Sequence, residues 1–217
     1  MARTKNRGLQ QSFSPSYTVR RWRLGKYIRL SKEDLKKTEL YHQNAERVKA
    51  QAAFTDYGQY LDSLEMTATI KGFEPLYIQR IAQLTNKSNQ FNLTTLRCSE
   101  DDIRAMAQNE NALCLCGRLV DKFGDNGIVT VVEGEQQGDT LDLRLWLMSC
   151  RVLKRGMEDA MMDTLVAEAA ARGVKTIVGH YYPTAKNAMV REFYAQFGFT
   201  KVAEDADGNT EWRLDVS

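Results

Sequence analysis

"LWLMSCRVLKRGMEDAMMDTLVAEAAARG", Leu145–Gly173, is the stretch that decides the fold. Its apolar opening reads as a buried strand, "KRG" as a basic glycine turn, and the remainder as a long helix. Met157, Ala160, Met161, Thr164 and Leu165 are spaced to face one core. A helix N-terminus presents unpaired N–H groups and the positive end of a dipole, which suits a phosphate. Lys154 and Arg155 add charge beside Gly156, so these three residues are expected to hold a phosphorylated group. Glu158 stands just inside the helix. An acid there stabilises the first turn by about 0.3–1 kcal/mol, yet it crowds and repels a pyrophosphate. One like-charge contact at about 4 Å costs about 4 kcal/mol at an effective dielectric near 20.

Working outward, "TATI" is a short strand, and "PLYIQRIAQLTNKSNQF" is helical. "LTTLRC" reads as strand, and "SEDDIRAMAQ" as a helix capped by Ser99. Three strands follow, "ALCLCGRLV", "GIVTVVEGE" and "LDLRLWLMSC", separated by the turn sequences "KFGDNG" and "EQQGDT". After the central helix come a buried strand "VKTIVGHY", a helix "NAMVREFYAQFGF" ended by Gly198, and two strands flanking "DADGN". The order predicts a mixed α/β domain over residues 66–217. Residues 31–65 read as a helical linker or lid, opened by a Ser31 cap.

The net charge of +2 conceals a split. Residues 1–50 hold 13 Lys/Arg against 4 Asp/Glu, and the remainder holds 17 against 24. Met1–Leu30 has no acidic residue, which marks residues 1–30 as a basic arm, disordered or simply packed. It interleaves Tyr17, Trp22 and Tyr27 with cations but lacks a nucleic-acid reading module, so nucleic acid is not an expected partner. No apolar run is long enough for a bilayer, and the N-terminus lacks a signal-peptide h-region; the cytoplasm is the expected compartment. Cys98, Cys114, Cys116 and Cys150 have no disulfide or zinc-ligand spacing, and no metal is expected.

The element order resembles the Gcn5-related N-acetyltransferase (GNAT) fold, a mainly antiparallel sheet flanked by helices. "AQLTNKSNQFNLTT", "DKFGDNGIV", "WLMSCRVLKRGME" and "PTAKNAMVREFY" together resemble the C-terminal half of FkbH-like proteins, and "SKEDLKKTELY" the segment preceding it. That family joins a haloacid-dehalogenase (HAD)-like phosphatase to a GNAT-like domain and charges acyl carrier proteins in polyketide pathways, notably with glyceryl units from a phosphorylated glycerate. The phosphatase motif Asp-x-Asp-x-Thr is absent here, so no phosphatase activity is expected from this chain. The resemblance implies an acyl carrier protein as partner, with a separate HAD-like phosphatase subunit as a further one. It implies a carrier-bound phosphopantetheine thioester, with free coenzyme A or acetyl-CoA as the alternative.

The usual GNAT loop resembles Arg/Gln-x-x-Gly-x-Gly/Ala. Here Leu153 falls at the Arg/Gln position and Glu158 at the last small one, which favours one phosphodiester over a pyrophosphate. By resemblance the pantetheine lies in a slot between separating strands, lined by backbone from Leu147, Met148 and Ser149 through Val152, with Asn187 binding the cofactor. Tyr194 is the implied acid for the thiolate; a core aromatic is the other reading. Cys150, where strand meets turn, is a candidate covalent acyl relay, since positive surroundings favour a nucleophilic thiolate; inert packing is the alternative. His180, at a strand end, is a candidate base or a merely hydrogen-bonded residue. Asn89 and Gln90, in the amide-rich "NKSNQFN", are candidate ligands for an acyl hydroxyl or self-capping turn residues. The expected activity is acyltransferase-type handling of a carrier thioester. Acetyl-CoA-dependent N-acetylation is the alternative, and a non-catalytic docking domain the third reading.

Overall fold

A computed structural model describes residues 32–217, with side chains from Thr38 onward. The basic arm and the Ser31 cap lie outside the described residues. The chain divides into two units, residues 1–45 and 46–217. Helix α1 (Lys32–Ala52) is polar along most of its length. Helix α2 (Tyr57–Ser63) is capped by Asp56, whose carboxylate accepts from the Gln59 N–H at 2.8 Å. No helix among the described residues is long and apolar enough to cross a membrane.

Seven strands form one sheet in the order β1-β2-β3-β4-β5-β7-β6. They are β1 (Thr67–Lys71), β2 (Ala112–Asp121), β3 (Gly124–Gln137), β4 (Thr140–Met148), β5 (Thr176–Tyr181), β6 (Thr200–Glu204) and β7 (Thr210–Asp215). All pairs are antiparallel except β4 with β5. That parallel pairing joins Thr140–Leu143 to Thr176–Gly179 and stops there. Beyond Leu143 the two strands separate.

Alternation along the strands feeds two cores. On one face, Trp146, Leu141, Leu143 and Ile177 pack with Met161 and Leu165 of helix α5 (Met157–Ala171), and with Phe193 and Tyr194. On the other, Leu145, Leu147 and Val131 pack with Ile81 of α3 (Ile78–Lys87) and Ile103 of α4 (Glu100–Gln108). Each fully buried Leu or Ile contributes about 1.5–3 kcal/mol, so this two-sided burial fixes where β4 ends. The Ser99 cap of α4 forms as the sequence predicts, and Asp102 completes a capping box with it.

Two expectations are corrected. "LTTLRC" is not a strand: the region makes one isolated bridge, Asn92 to Leu147. Local side-chain bonds take over the backbone. Asn92 Oδ1 accepts from the Thr95 N–H, Thr95 sits at φ +59°, and Arg97 bonds the Ser88 carbonyl at 3.0 Å. The late helix is likewise absent as such. Ala188–Val190 and Tyr194–Phe197 are 3-10 turns with i to i+3 bonds, and Gly198 ends them at φ +80°. Val190, Phe193 and Tyr194 are all buried at this tighter spacing.

Candidate functional site

Where β4 and β5 part, the sequence analysis expects an open slot for a pantetheine arm. The slot is filled by the chain itself. Residues Phe91–Thr94 lie in it as a third, short strand-like segment. The Leu93 N–H donates to the Trp146 carbonyl at 3.0 Å, and the Met148 N–H to the Phe91 carbonyl at 3.0 Å. On the opposite side the Tyr182 N–H donates to the Leu93 carbonyl at 2.8 Å. Thr94 Oγ1 donates to the Arg144 carbonyl at 2.7 Å. Leu147, expected to line a ligand, and Val152 are fully buried, whereas Met148, largely buried too, keeps a place in the wall of an open groove at the end of β4. Asn187 locks the arrangement. Its Nδ2 donates to the carbonyls of Asn92 and Tyr182, both at 2.9 Å, and its Oδ1 accepts from the Thr184 N–H at 2.7 Å.

The basic turn is engaged by the chain's own side chains. Lys154 at φ +60° and Gly156 at φ +74° curl the backbone toward the start of α5. The Lys154 N–H points at the Glu158 carboxylate, 2.9 Å away, so an internal anion occupies the turn. Tyr57 covers the far side through a 3.0 Å bond to the Lys154 carbonyl. Arg155 turns away from the loop: its guanidinium reaches Asp121 at 3.3 Å. Asp121 already holds Arg47 in a bidentate pair at 2.7 and 2.8 Å, and its side chain is fully buried. Burial raises the Asp121 carboxyl, but the hydrogen bond and charge of Arg47 outweigh it and leave it below the ordinary range. Arg155 is thus drawn away from the turn, while Lys154 and Gly156 line a groove of about 390 Å³ together with Glu158 and Asp159.

An open groove of about 790 Å³ lies at the carboxyl end of β4 instead. Cys150 is exposed in it, on a single 3-10 turn (Cys150–Val152), with Ser149 alongside. Asn89 and Gln90, from the loop after α3, line the facing wall. Around them stand Arg80, Lys87, Arg151 and Lys186, and among the described residues none of those lining the groove is acidic. Burial, with the neighbouring Arg151 charge, lowers the Arg80 guanidinium from its ordinary value. Arg151 Nε also donates to Ser149 Oγ at 3.3 Å. An exposed thiol in a groove with cationic walls can accept an acyl group, and the cations can stabilise negative charge that develops on a bound carbonyl oxygen.

No family model matches the sequence, and no curated protein does. Solved structures do match. The ribosomal-protein-S18-alanine N-acetyltransferase of Escherichia coli superposes with a TM-score of 0.53 at 18% identity, covering 70% of this chain and 95% of that one. The GNAT domain of S. lividans PAT gives 0.54 at 16% identity, covering 68% and 90%. The PaiA N-acetyltransferase of Thermoplasma acidophilum, solved in complex with coenzyme A, gives 0.51 at 13% identity, covering 69% and 99%. The fold is the GNAT fold.

Within that fold the remaining candidates scatter. Tyr194 is buried among Trp146, Phe193, Phe199 and Trp212, and its ring lies on Gly179. Its hydroxyl lies near the His180 backbone but completes no well-formed hydrogen bond, and burial pushes the phenol up. It lines neither the groove around Cys150 nor the one beside Lys154 and Gly156. His180 Nε2 is 2.6 Å from Asp142 Oδ1 and stacks on Tyr182, also away from Cys150. The hydrogen bond to Asp142 holds its imidazole above the ordinary value. Cys98 and Cys116 are buried, with burial pushing each thiol up to about 11. Burial pushes Cys114 up to about 12.

Cys150, Ser149, Asn89 and Gln90 are therefore brought together, whereas Tyr194, His180 and Asn187 are not joined to them. Arg80 and Lys186 are the site residues that sequence reasoning missed. Arg80 sits on the polar side of an amphipathic helix, where a cation has no distinguishing spacing. Only the fold sets it beside Arg151.

Proposed function

We propose that this GNAT-fold domain is an acyltransferase module that receives an acyl group from a phosphopantetheine thioester borne by a carrier protein, with Cys150 as acceptor thiol. The observation that carries this reading is the exposed Cys150 in a cationic groove without a carboxylate, facing Asn89 and Gln90. In the transfer, Cys150 Sγ loses its proton and attacks the thioester carbonyl carbon. The oxyanion that forms lies among the Arg80 and Arg151 guanidinium charges. The bond to the carrier sulfur breaks, the carrier thiolate takes a proton, and an acyl–Cys150 thioester remains. The reverse sequence delivers the acyl group to a second carrier thiol. The setting we infer is cytoplasmic, with a separate HAD-like phosphatase subunit as a further partner.

The fold likeness supports acetyl-CoA-dependent N-acetylation equally, since fold neighbours bind coenzyme A. This chain's residues do not fit that cofactor in the slot. Phe91–Thr94 takes the hydrogen-bonding edge of β4, and Glu158 takes the amide of the phosphate turn. The filled slot also favours a second reading, a docking domain that binds a carrier without transfer.

Intact-mass analysis separates these. Incubation with an acylated carrier is expected to add the acyl mass to the protein, and Cys150→Ala removes the adduct. A carrier complex that forms with no adduct, and with turnover unchanged in Cys150→Ala, refutes the relay and supports docking.

A further inference from the structure

Arg97 ties the loop after α3 to the chain that returns from the slot. One nitrogen of its guanidinium donates to the carbonyls of Thr85 and Ser88, and the other donates to Asn89 Oδ1. Further bonds stitch the same two segments together. The Cys98 N–H donates to Thr85 Oγ1 at 3.0 Å, and Asn86 Nδ2 donates to the Cys98 carbonyl at 3.0 Å. Between them the chain fills the slot and passes through Thr95 at φ +59°, so Arg97 comes back to clasp the residues that precede the filling segment.

That clasp decides which way the Asn89 amide faces. A guanidinium has donors and no acceptor, so the atom beside it must be the amide oxygen; exchanging O for N would set donor against donor. The NH2 group therefore sits on the branch of the amide away from Arg97. Nδ2 makes no hydrogen bond to the protein among the described residues. Asn89 is half-buried in the wall of the groove of about 790 Å³ that also holds the exposed Cys150. A thiol and an oriented N–H donor thus share one groove.

Thioester chemistry at Cys150 calls for such a donor. As Sγ bonds to the carbonyl carbon, the π pair moves onto oxygen; collapse then expels the pantetheine thiolate, which takes a proton. The cationic walls favour that negative charge without fixing where it forms. A held amide N–H fixes the place, and it needs no reorientation at the moment of reaction. We infer that Asn89 Nδ2 donates to the carbonyl oxygen of the acyl group as it passes to Cys150, and that Arg97 is the positioning residue that keeps this amide in its donor orientation. This rests on the reading of Cys150 as the acceptor thiol.

The test compares two reactions of the same thiol, both read by mass on the Cys150 peptide. Acylation by butyryl-pantetheine passes through an oxyanion. Alkylation by iodoacetamide displaces iodide at a saturated carbon and forms none. The ratio of the two rates cancels changes in the reactivity or exposure of the thiol itself. Asn89→Asp keeps an oxygen for Arg97 and loses the NH2, and its ratio is expected to fall about a hundredfold; Asn89→Ala should fall likewise. Arg97→Ala should lower the ratio in the wild-type background and leave it unchanged in Asn89→Ala, because it acts through that amide. An undiminished ratio in Asn89→Asp overturns the inference, as does an Arg97→Ala effect that is absent from wild type or persists in full without Asn89. Wild-type protein that is alkylated at Cys150 but never acylated refutes the acceptor-thiol reading itself and takes the inference with it, so the wild type alone tells the two failures apart.

Discussion

Replacing Asn187 by Ala distinguishes two roles that predict opposite outcomes. If Asn187 is a cofactor ligand, as the GNAT resemblance implies, its removal spares stability and weakens binding. If it anchors Phe91–Thr94 in the slot, its removal destabilises the fold. The side chain is fully buried and serves three backbone groups: the carbonyls of Asn92 and Tyr182 and the N–H of Thr184. Asn92 is itself buried, so its orphaned carbonyl costs about 1–3 kcal/mol. The other two are partly exposed and lose ordinary hydrogen bonds worth about 0.5–1.5 kcal/mol each. The sum is about 2–6 kcal/mol, at least a roughly thirtyfold shift in the unfolding constant. Urea denaturation measures it. Amide hydrogen exchange should show Leu93 and Tyr182 losing protection before the rest of the sheet, because the Leu93 N–H ties the segment to Trp146 of β4 and the Tyr182 N–H ties it to the chain after β5. A change under about 1 kcal/mol, with Leu93 as protected as before, refutes the anchoring argument.

Asp121→Asn should destabilise by about 3–5 kcal/mol in the same assay, because it leaves the buried Arg47 guanidinium without its carboxylate. The Asp121 contribution is present above the unfolded carboxyl's pKa of about 3.9 and is lost as pH falls through its lower folded value, so wild type and variant should converge in acid. Gly179→Ala puts a Cβ into the Tyr194 ring, and thermal unfolding should report a loss of about 1–3 kcal/mol unless the ring moves. The His180–Asp142 pair acts with the opposite sign. Because the folded imidazole titrates above its unfolded value near 6.5, its contribution is full below that pH and disappears as pH rises through the folded value. The pair is partly exposed, so His180→Gln should cost at most about 1 kcal/mol at acidic pH and less above neutrality.

Much of the fold is legible in the sequence because the relevant signals are local. The strand–turn–helix around Gly156 shows as an apolar run, a glycine and a helical stripe. The α4 cap shows as Ser99 with Asp102 three residues on. Two features are not legible for a common reason: each depends on a partner distant in sequence. Phe91 reads as the end of a helical stretch and Leu93 as the start of a strand, but α3 stops at Lys87 and the neighbours of Phe91–Thr94 are the splayed ends of β4 and β5. The stretch 187–199 has the spacing of a helix, and its backbone is instead committed to the 3-10 turns that follow Asn187. At the site, Cys150 and "NKSNQ" carry visible chemistry, whereas Arg80 becomes meaningful only beside Arg151.

Glu158 was visible from the start, and its effect can be separated from that of the plug. A carboxylate at the start of α5 repels a pyrophosphate by about 4 kcal/mol per close contact, but a lone acid could swing out to solvent. It does not, because the Lys154 N–H holds it at 2.9 Å in a turn that Tyr57 covers. The plug closes the pantetheine end independently, through β4 and β5 backbone that no side-chain change at Glu158 would touch. Glu158→Gly alone is therefore expected to leave coenzyme A binding undetectable by calorimetry. If that single substitution were to produce micromolar binding, Phe91–Thr94 would be a yielding gate rather than a fixed part of the sheet, and the route through the Cys150 groove would lose its physical basis.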